Sequence, residues 1–109
     1  MIHVIATIEV QPGQLDAVMS ELLKVQPMVL NEPGCCKYQP LVDAKVDLPL
    51  PVRHREDTIT VIEQWASLAH LEAHMAAPHM KAYKEAVGDK VKDVSLQLLE
   101  KNTPGHRQG

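Results

Sequence analysis

Apolar and polar residues alternate along this chain with two different periods, which divides it into strands and helices. Residues 2–10 alternate one by one, and this pattern predicts a β-strand. Residues 35–42, 58–65 and 91–100 predict three further strands. Pro40 has no backbone N–H donor, so we expect the strand that contains it to lie at a sheet edge or to form a bulge.

The segments between these strands carry the helical period. In residues 14–31 the apolar side chains recur at spacings of three and four, which predicts an amphipathic helix. Pro27 removes a backbone donor within it, so we expect a kink or a restart near Lys24. Two shorter helices are predicted over residues 67–76 and 79–87.

The resulting order, β-α-β-β-α-α-β, matches the split βαβ unit of a ferredoxin-like fold. We therefore predict an α+β protein, with a four-stranded antiparallel sheet that carries its helices on one face. Ile5 and Ile62 lie on the opposite face, which also needs cover, so we expect a homodimer. One domain is predicted over residues 1–101, followed by a flexible C-terminal tail at 102–109.

Charge and composition narrow the classes of partner. The net charge is −3 over 109 residues and no basic stripe is present, so we expect no nucleic-acid partner. The apolar runs are shorter than the roughly 20 residues that a membrane span needs, and the N-terminus lacks a signal peptide's basic region. Cys35 and Cys36 are adjacent and are expected to be free thiols. A cytoplasmic protein with no membrane partner is predicted.

The most distinctive stretch begins in the third predicted strand, which ends on Glu63-Gln64-Trp65. The helix after it carries His70 and His74, and residues 78–83 (Pro-His-Met-Lys-Ala-Tyr) follow. Together these motifs resemble the core signature of antibiotic biosynthesis monooxygenase domains and, within that family, of the bacterial quinol monooxygenases. The similarity covers about residues 2–100, and the segment 32–35 (Glu-Pro-Gly-Cys) also falls where members carry a similar one.

The resemblance implies a dimeric αβ-barrel and a cofactor-independent monooxygenase. The expected reaction is oxidation of a small, electron-rich aromatic such as a quinol by molecular oxygen. A heme-degrading branch of the superfamily carries an Asn, a Trp and a His at positions near Ala6 or Thr7, His74 and Lys84 here. That triad is absent, so heme degradation is not expected.

His70 and His74 are the candidate catalytic residues. They lie one helical turn apart on the same face, and an imidazole titrates near neutral pH, so either could remove a phenolic proton. A deprotonated quinol is a better electron donor to oxygen. Which histidine acts as the base stays open, and either could merely cap or pack. The candidate substrate-binding residues are Glu63, Trp65, His79 and Tyr83. Trp65 and Tyr83 also fit simple core packing, and Glu63 needs a partner on its apolar face.

The same two histidines could ligate zinc, but the sequence shows no third ligand at a fitting spacing. Glu72 points away from them, and His79 lies beyond Pro78. No Gly-rich phosphate loop is present either. We therefore expect no metal site and no cofactor.

Two other functions stay open. The same scaffold could be a non-catalytic small-molecule-binding or stress-response module, or an isomerase of a phosphorylated small ketone. In the second case Arg53 and Arg55 would bind the phosphate group. Both arginines lie in a long loop at residues 43–57, whose role the sequence does not assign. The fold alone does not decide between these functions.

Overall fold

The computed structural model describes residues 1–102 and Pro104. Within these residues the chain forms four strands and three α-helices, whose bounds are β1 Ile2–Val10, α1 Leu15–Leu30, β2 Cys35–Val42, β3 Thr58–Trp65, α2 Leu68–Met75, α3 Pro78–Val87 and β4 Val91–Leu99. Each predicted element is confirmed to within one residue at either end. The predicted tail at 102–109 lies outside the described residues, apart from Asn102 and Pro104. No helix in the described part of the chain is long and apolar enough to cross a membrane.

The four strands form one antiparallel sheet with the order β2-β3-β1-β4. β1 therefore lies between β3 and β4, and Ala6 is opposite Val61 on one side and Leu96 on the other. This order is that of the ferredoxin-like fold, which confirms the predicted fold class. β2 is an edge strand, as Pro40 predicts, and its pairing with β3 is irregular between Cys35 and Lys37.

The helix α1 packs against one face of the sheet and completes the core. It buries Val18, Leu22, Val25 and Val29. The predicted restart near Lys24 is wrong, because α1 continues through Pro27 as a single helix. Pro27 removes only the bond that its N–H would make to the carbonyl group of Leu23. Leu23 is 50% exposed, so water can satisfy that carbonyl group.

The helices cover β1 and β3 more completely than β4. Val94 and Leu96 pair with Ile8 and Ala6, so their side chains face the helices as well. They remain 54% and 45% exposed, whereas Ile8 and Ala6 are buried. The sheet face beneath the helices is therefore open along β4, and this opening leads into a cavity.

Candidate active site

The cavity lies between the sheet and the helices and has a volume of about 370 Å³. Its wall is mostly aliphatic, with contributions from Val4, Ala6, Ile8, Leu22, Val61, Leu71, Met80, Val87, Val91, Val94 and Leu96. The polar lining residues are few and comprise Tyr38, Glu63, His74, Tyr83 and Lys84. A small apolar molecule fits such a space, and a few polar groups fix its orientation.

His74, in the last turn of α2, is a buried polar residue of this wall, with 4% of its surface exposed. Its ring centroid lies 4.6 Å from that of Trp65, which is fully buried behind it. The ring of Tyr38 meets it edge-on, at a centroid distance of 5.6 Å. Aromatic contacts on two sides hold the imidazole in one orientation.

Glu32 fixes the protonation pattern of that imidazole. Its Oε2 atom lies 2.8 Å from Nδ1 of His74 and 2.7 Å from Nε2 of His79. A carboxylate only accepts hydrogen bonds, so both ring nitrogens donate to it. In a neutral His74 the proton is then on Nδ1, and Nε2 carries a free lone pair.

Glu63 lies beside that lone pair. Its Oε1 atom is 4.0 Å from Nε2 of His74, and both residues line the cavity. The indole N–H of Trp65 donates to the same oxygen at 3.0 Å, which provides the partner that a buried carboxyl group needs. Burial raises the pKa of Glu63, although the bond from Trp65, and the charge of His74 when that ring is protonated, act in the opposite direction.

The turn that carries Glu32 is held against the start of α2. Gly34 has a φ of 77°, and its carbonyl group accepts a bond from the N–H of Ala66 at 2.8 Å. The side chain of His70 packs directly over Gly34, where a Cβ atom would overlap it. The ring of His70 also contacts the Ser67 hydroxyl at 2.7 Å, and Ser67 caps α2.

The structure thus separates the six predicted site residues into three groups. His74, Glu63 and Tyr83 line the cavity. Trp65 and His79 lie outside the wall. Trp65 forms a hydrogen bond with Glu63, which lies beside His74, and His79 forms one with Glu32, which contacts His74 directly. His70 also lies outside the wall, and its contacts are to the N-cap and to Gly34.

The sequence profile of the antibiotic biosynthesis monooxygenase family matches residues 1–86. The chain belongs to this family. The proteins named Probable quinol monooxygenase YgiN in Escherichia coli K12 and in Shigella flexneri are both 44% identical to it, over 92% of this chain and 97% of theirs.

Solved structures share the fold of this chain. PA3566 from Pseudomonas aeruginosa superimposes with a TM-score of 0.77 at 26% identity, over 94% of each chain. Rv0793 from Mycobacterium tuberculosis shares the fold, with a TM-score of 0.76 at 21% identity, over 95% of this chain and 97% of its own.

In this member of the antibiotic biosynthesis monooxygenase family, sequence reasoning missed Glu32 and Tyr38 as site residues. Glu32 lies in the segment 32–35 that contributed to the resemblance, so a signal was present, but no spacing connected it to a histidine. Tyr38 faces the cavity from β2, opposite Glu63 on β3. Burial raises the pKa of Tyr38 and, to about 12, that of Tyr83, so both phenols stay protonated at neutral pH.

The arginines of the loop at residues 43–57 lie away from this cavity. Arg55 donates from Nε and Nη2 to the two carboxylate oxygens of Asp43, both at 2.8 Å. This pairing lowers the pKa of Asp43 and places a carboxylate where a substrate phosphate would bind. The arrangement gives no support to the phosphate-binding alternative.

Proposed function

We propose that this protein is a cofactor-independent monooxygenase that oxidises a quinol, or a similar electron-rich aromatic, with molecular oxygen. The main support is the Glu32–His74 pair, which in the neutral form of His74 leaves Nε2 as an acceptor at the polar part of an otherwise aliphatic cavity. The relatives named for quinol oxidation support this substrate class.

His74 is the proposed general base. A quinol hydroxyl group donates a hydrogen bond to Nε2 and transfers its proton there. The carboxylate of Glu32 on the other side of the ring stabilises the imidazolium that forms, since it accepts from Nδ1 at 2.8 Å. The mostly aliphatic wall offers the quinolate few stabilising polar contacts, which favours transfer of one electron from it to oxygen.

The reaction then needs no external reductant. The semiquinone radical and superoxide recombine to form a bond between oxygen and a ring carbon. Loss of water from this hydroperoxide leaves one oxygen atom on the ring, as a hydroxyquinone. Alternatively, the semiquinone transfers a second electron to superoxide, the two protons of the quinol follow, and the products are quinone and hydrogen peroxide. The balance of products distinguishes the two routes.

Replacement of the base tests the proposal. In the variant His74→Gln we expect the rate of quinol-dependent oxygen uptake, after subtraction of the autoxidation background, to fall by roughly 10²–10⁴-fold. The matched control is His54→Gln, because His54 is exposed in the loop at residues 43–57. A folded His74→Gln protein with full activity would refute the base assignment. A parent protein that never exceeds the background with any quinol would favour a binding module instead.

Two further features complete the proposal. We propose a homodimer, supported by the apolar residues Ile5 and Ile62 on the sheet face away from the helices. We also propose a cytoplasmic location, supported by the free thiols of Cys35 and Cys36.

A further inference from the structure

We propose that Glu32, His74 and His79 form a binding site for a divalent transition metal such as Zn²⁺, and that metal binding inhibits the enzyme. One ligand atom from each of the three side chains lies within 4.8 Å of the other two. The carboxylate atom Oε2 is already 2.8 Å from one imidazole nitrogen and 2.7 Å from the other.

The chemistry of this donor set suits zinc. Two imidazole nitrogens and one carboxylate oxygen are common zinc ligands, and a water molecule can take the fourth tetrahedral position. Bonds of about 2.0–2.1 Å place neighbouring ligands roughly 3.3 Å apart. The two short contacts to Glu32 therefore need to open by only about half an ångström. The metal replaces the two protons that these hydrogen bonds now hold.

The three ligands are fixed by different parts of the fold. Glu32 lies in the turn after α1, His74 ends α2, and His79 is the second residue of α3. The side chains are 10%, 6% and 21% exposed, respectively. The cluster is therefore held together before a metal arrives, and the partly exposed ring of His79 offers a route of entry from solvent.

The inhibition follows from the chemistry of a neutral imidazole, and it rests on the proposed role of His74. Such a ring has one proton and one lone pair. When Nδ1 gives its lone pair to a metal, the proton is on Nε2. His74 then presents a donor, rather than an acceptor, to the cavity and can no longer take a proton from a quinol.

Calorimetric titration of the untagged protein with zinc tests the site directly. We expect saturable binding of one zinc ion per chain. His79→Ala and His79→Gln should each weaken it by at least about tenfold. The matched control is His54→Ala, which removes an exposed histidine and should leave binding unchanged. Absence of saturable binding, or equal loss in the control and in folded His79 variants, would overturn the site.

Two additional measurements separate this inference from the proposed function. In ¹⁵N spectra, zinc should convert Nε2 of His74 to the protonated form, and in the oxygen assay it should inhibit along the binding curve and be reversed by a chelator. Zinc binding without the spectral change would overturn the switch. Zinc binding with the spectral change, in a protein that oxidises no quinol, would support the site and remove the proposed function.

Discussion

Nδ1 of His74 lies 2.8 Å from Oε2 of Glu32, although 42 residues separate the two in the chain. The contact joins the end of α2 to the turn after α1. It gives the imidazole a single tautomer, with its lone pair on the nitrogen nearer Glu63. The position of this lone pair at the cavity wall therefore depends on a carboxylate that does not itself line the cavity.

Glu32→Gln tests this dependence. An amide group can donate to Nδ1, which favours the opposite tautomer, and it carries no charge to stabilise the imidazolium. We expect kcat for quinol oxidation to fall by roughly 10²-fold or more, with KM changed much less. Steady-state oxygen uptake measures both values. Glu56→Gln, in the exposed loop, is the matched control, and a folded Glu32→Gln protein with the parental kcat would contradict the tautomer argument.

The fold could be predicted almost completely from the sequence, because the patterns that determine each helix and strand lie within that element. The alternation in β1 and β3 and the spacing of apolar residues in α1 each lie within one element. The restart of α1 predicted from Pro27 was wrong. A proline in a helix removes one backbone hydrogen bond, but the free energy that this loss costs depends on whether water reaches the unpaired carbonyl group.

The site could be predicted only in part, for the opposite reason. His74, Glu63 and Tyr83 belong to the motif region and do line the cavity. The relation of His74 to Glu32, however, is a contact between distant elements, and no periodicity encodes it. The grouping of Glu32 with His74 and His79 was not predicted for the same reason: the sequence paired His74 with His70, and Glu32 lies in the turn after α1.

Gly34→Ala should destabilise the protein by about 1–3 kcal/mol, because Gly34 has a φ of 77° and a Cβ atom there would overlap His70. Gly13→Ala is the matched control. Gly13 has a φ of 81°, but an added Cβ atom would lie in open space. We therefore expect Gly13→Ala to lose only the roughly 1 kcal/mol that the left-handed backbone conformation costs. Urea unfolding measures both free energies. Equal values would show that the contact with His70 is unimportant.

Adding His70→Ala to Gly34→Ala should recover part of the loss, since it removes the ring atoms that the new methyl group overlaps. The recovery should be incomplete because the Cβ atom of residue 70 remains close. A double-mutant cycle on the unfolding free energies measures this coupling. A coupling of zero would contradict the packing of His70 over the turn.

Glu63 should make stability depend on pH. Burial raises its folded-state pKa above the ordinary value of 4.5, and the charge of Glu32 acts in the same direction. The hydrogen bond from Trp65 and a protonated His74 act in the opposite direction but do not reverse the shift. A raised carboxyl pKa contributes stability that is present below pH 4.5 and is lost as the pH rises through the folded-state pKa. Glu63→Gln keeps an acceptor for the indole N–H and does not titrate.

The unfolding free energy of Glu63→Gln relative to the parent should therefore increase between pH 4.5 and neutral pH. Urea unfolding at a series of pH values measures this difference. Glu72→Gln, at an exposed position of α2, is the matched control and should show no such trend. A difference that stays constant or shrinks as the pH rises would contradict the effect of burial on Glu63.

The outer face of the sheet should be a dimer interface. Ile5 and Ile62 are directly opposite each other on β1 and β3, on the face away from α1, and both are only partly exposed. Light scattering at micromolar concentration should give twice the chain mass of 12.1 kDa. Ile62→Lys places a charge in the centre of this face and should yield a monomer, because burying an unpaired charge is costly. Leu50→Lys is the matched control, at a 75% exposed loop position. A parent mass of 12.1 kDa would refute the dimer, and an Ile62→Lys dimer would move the interface to another surface.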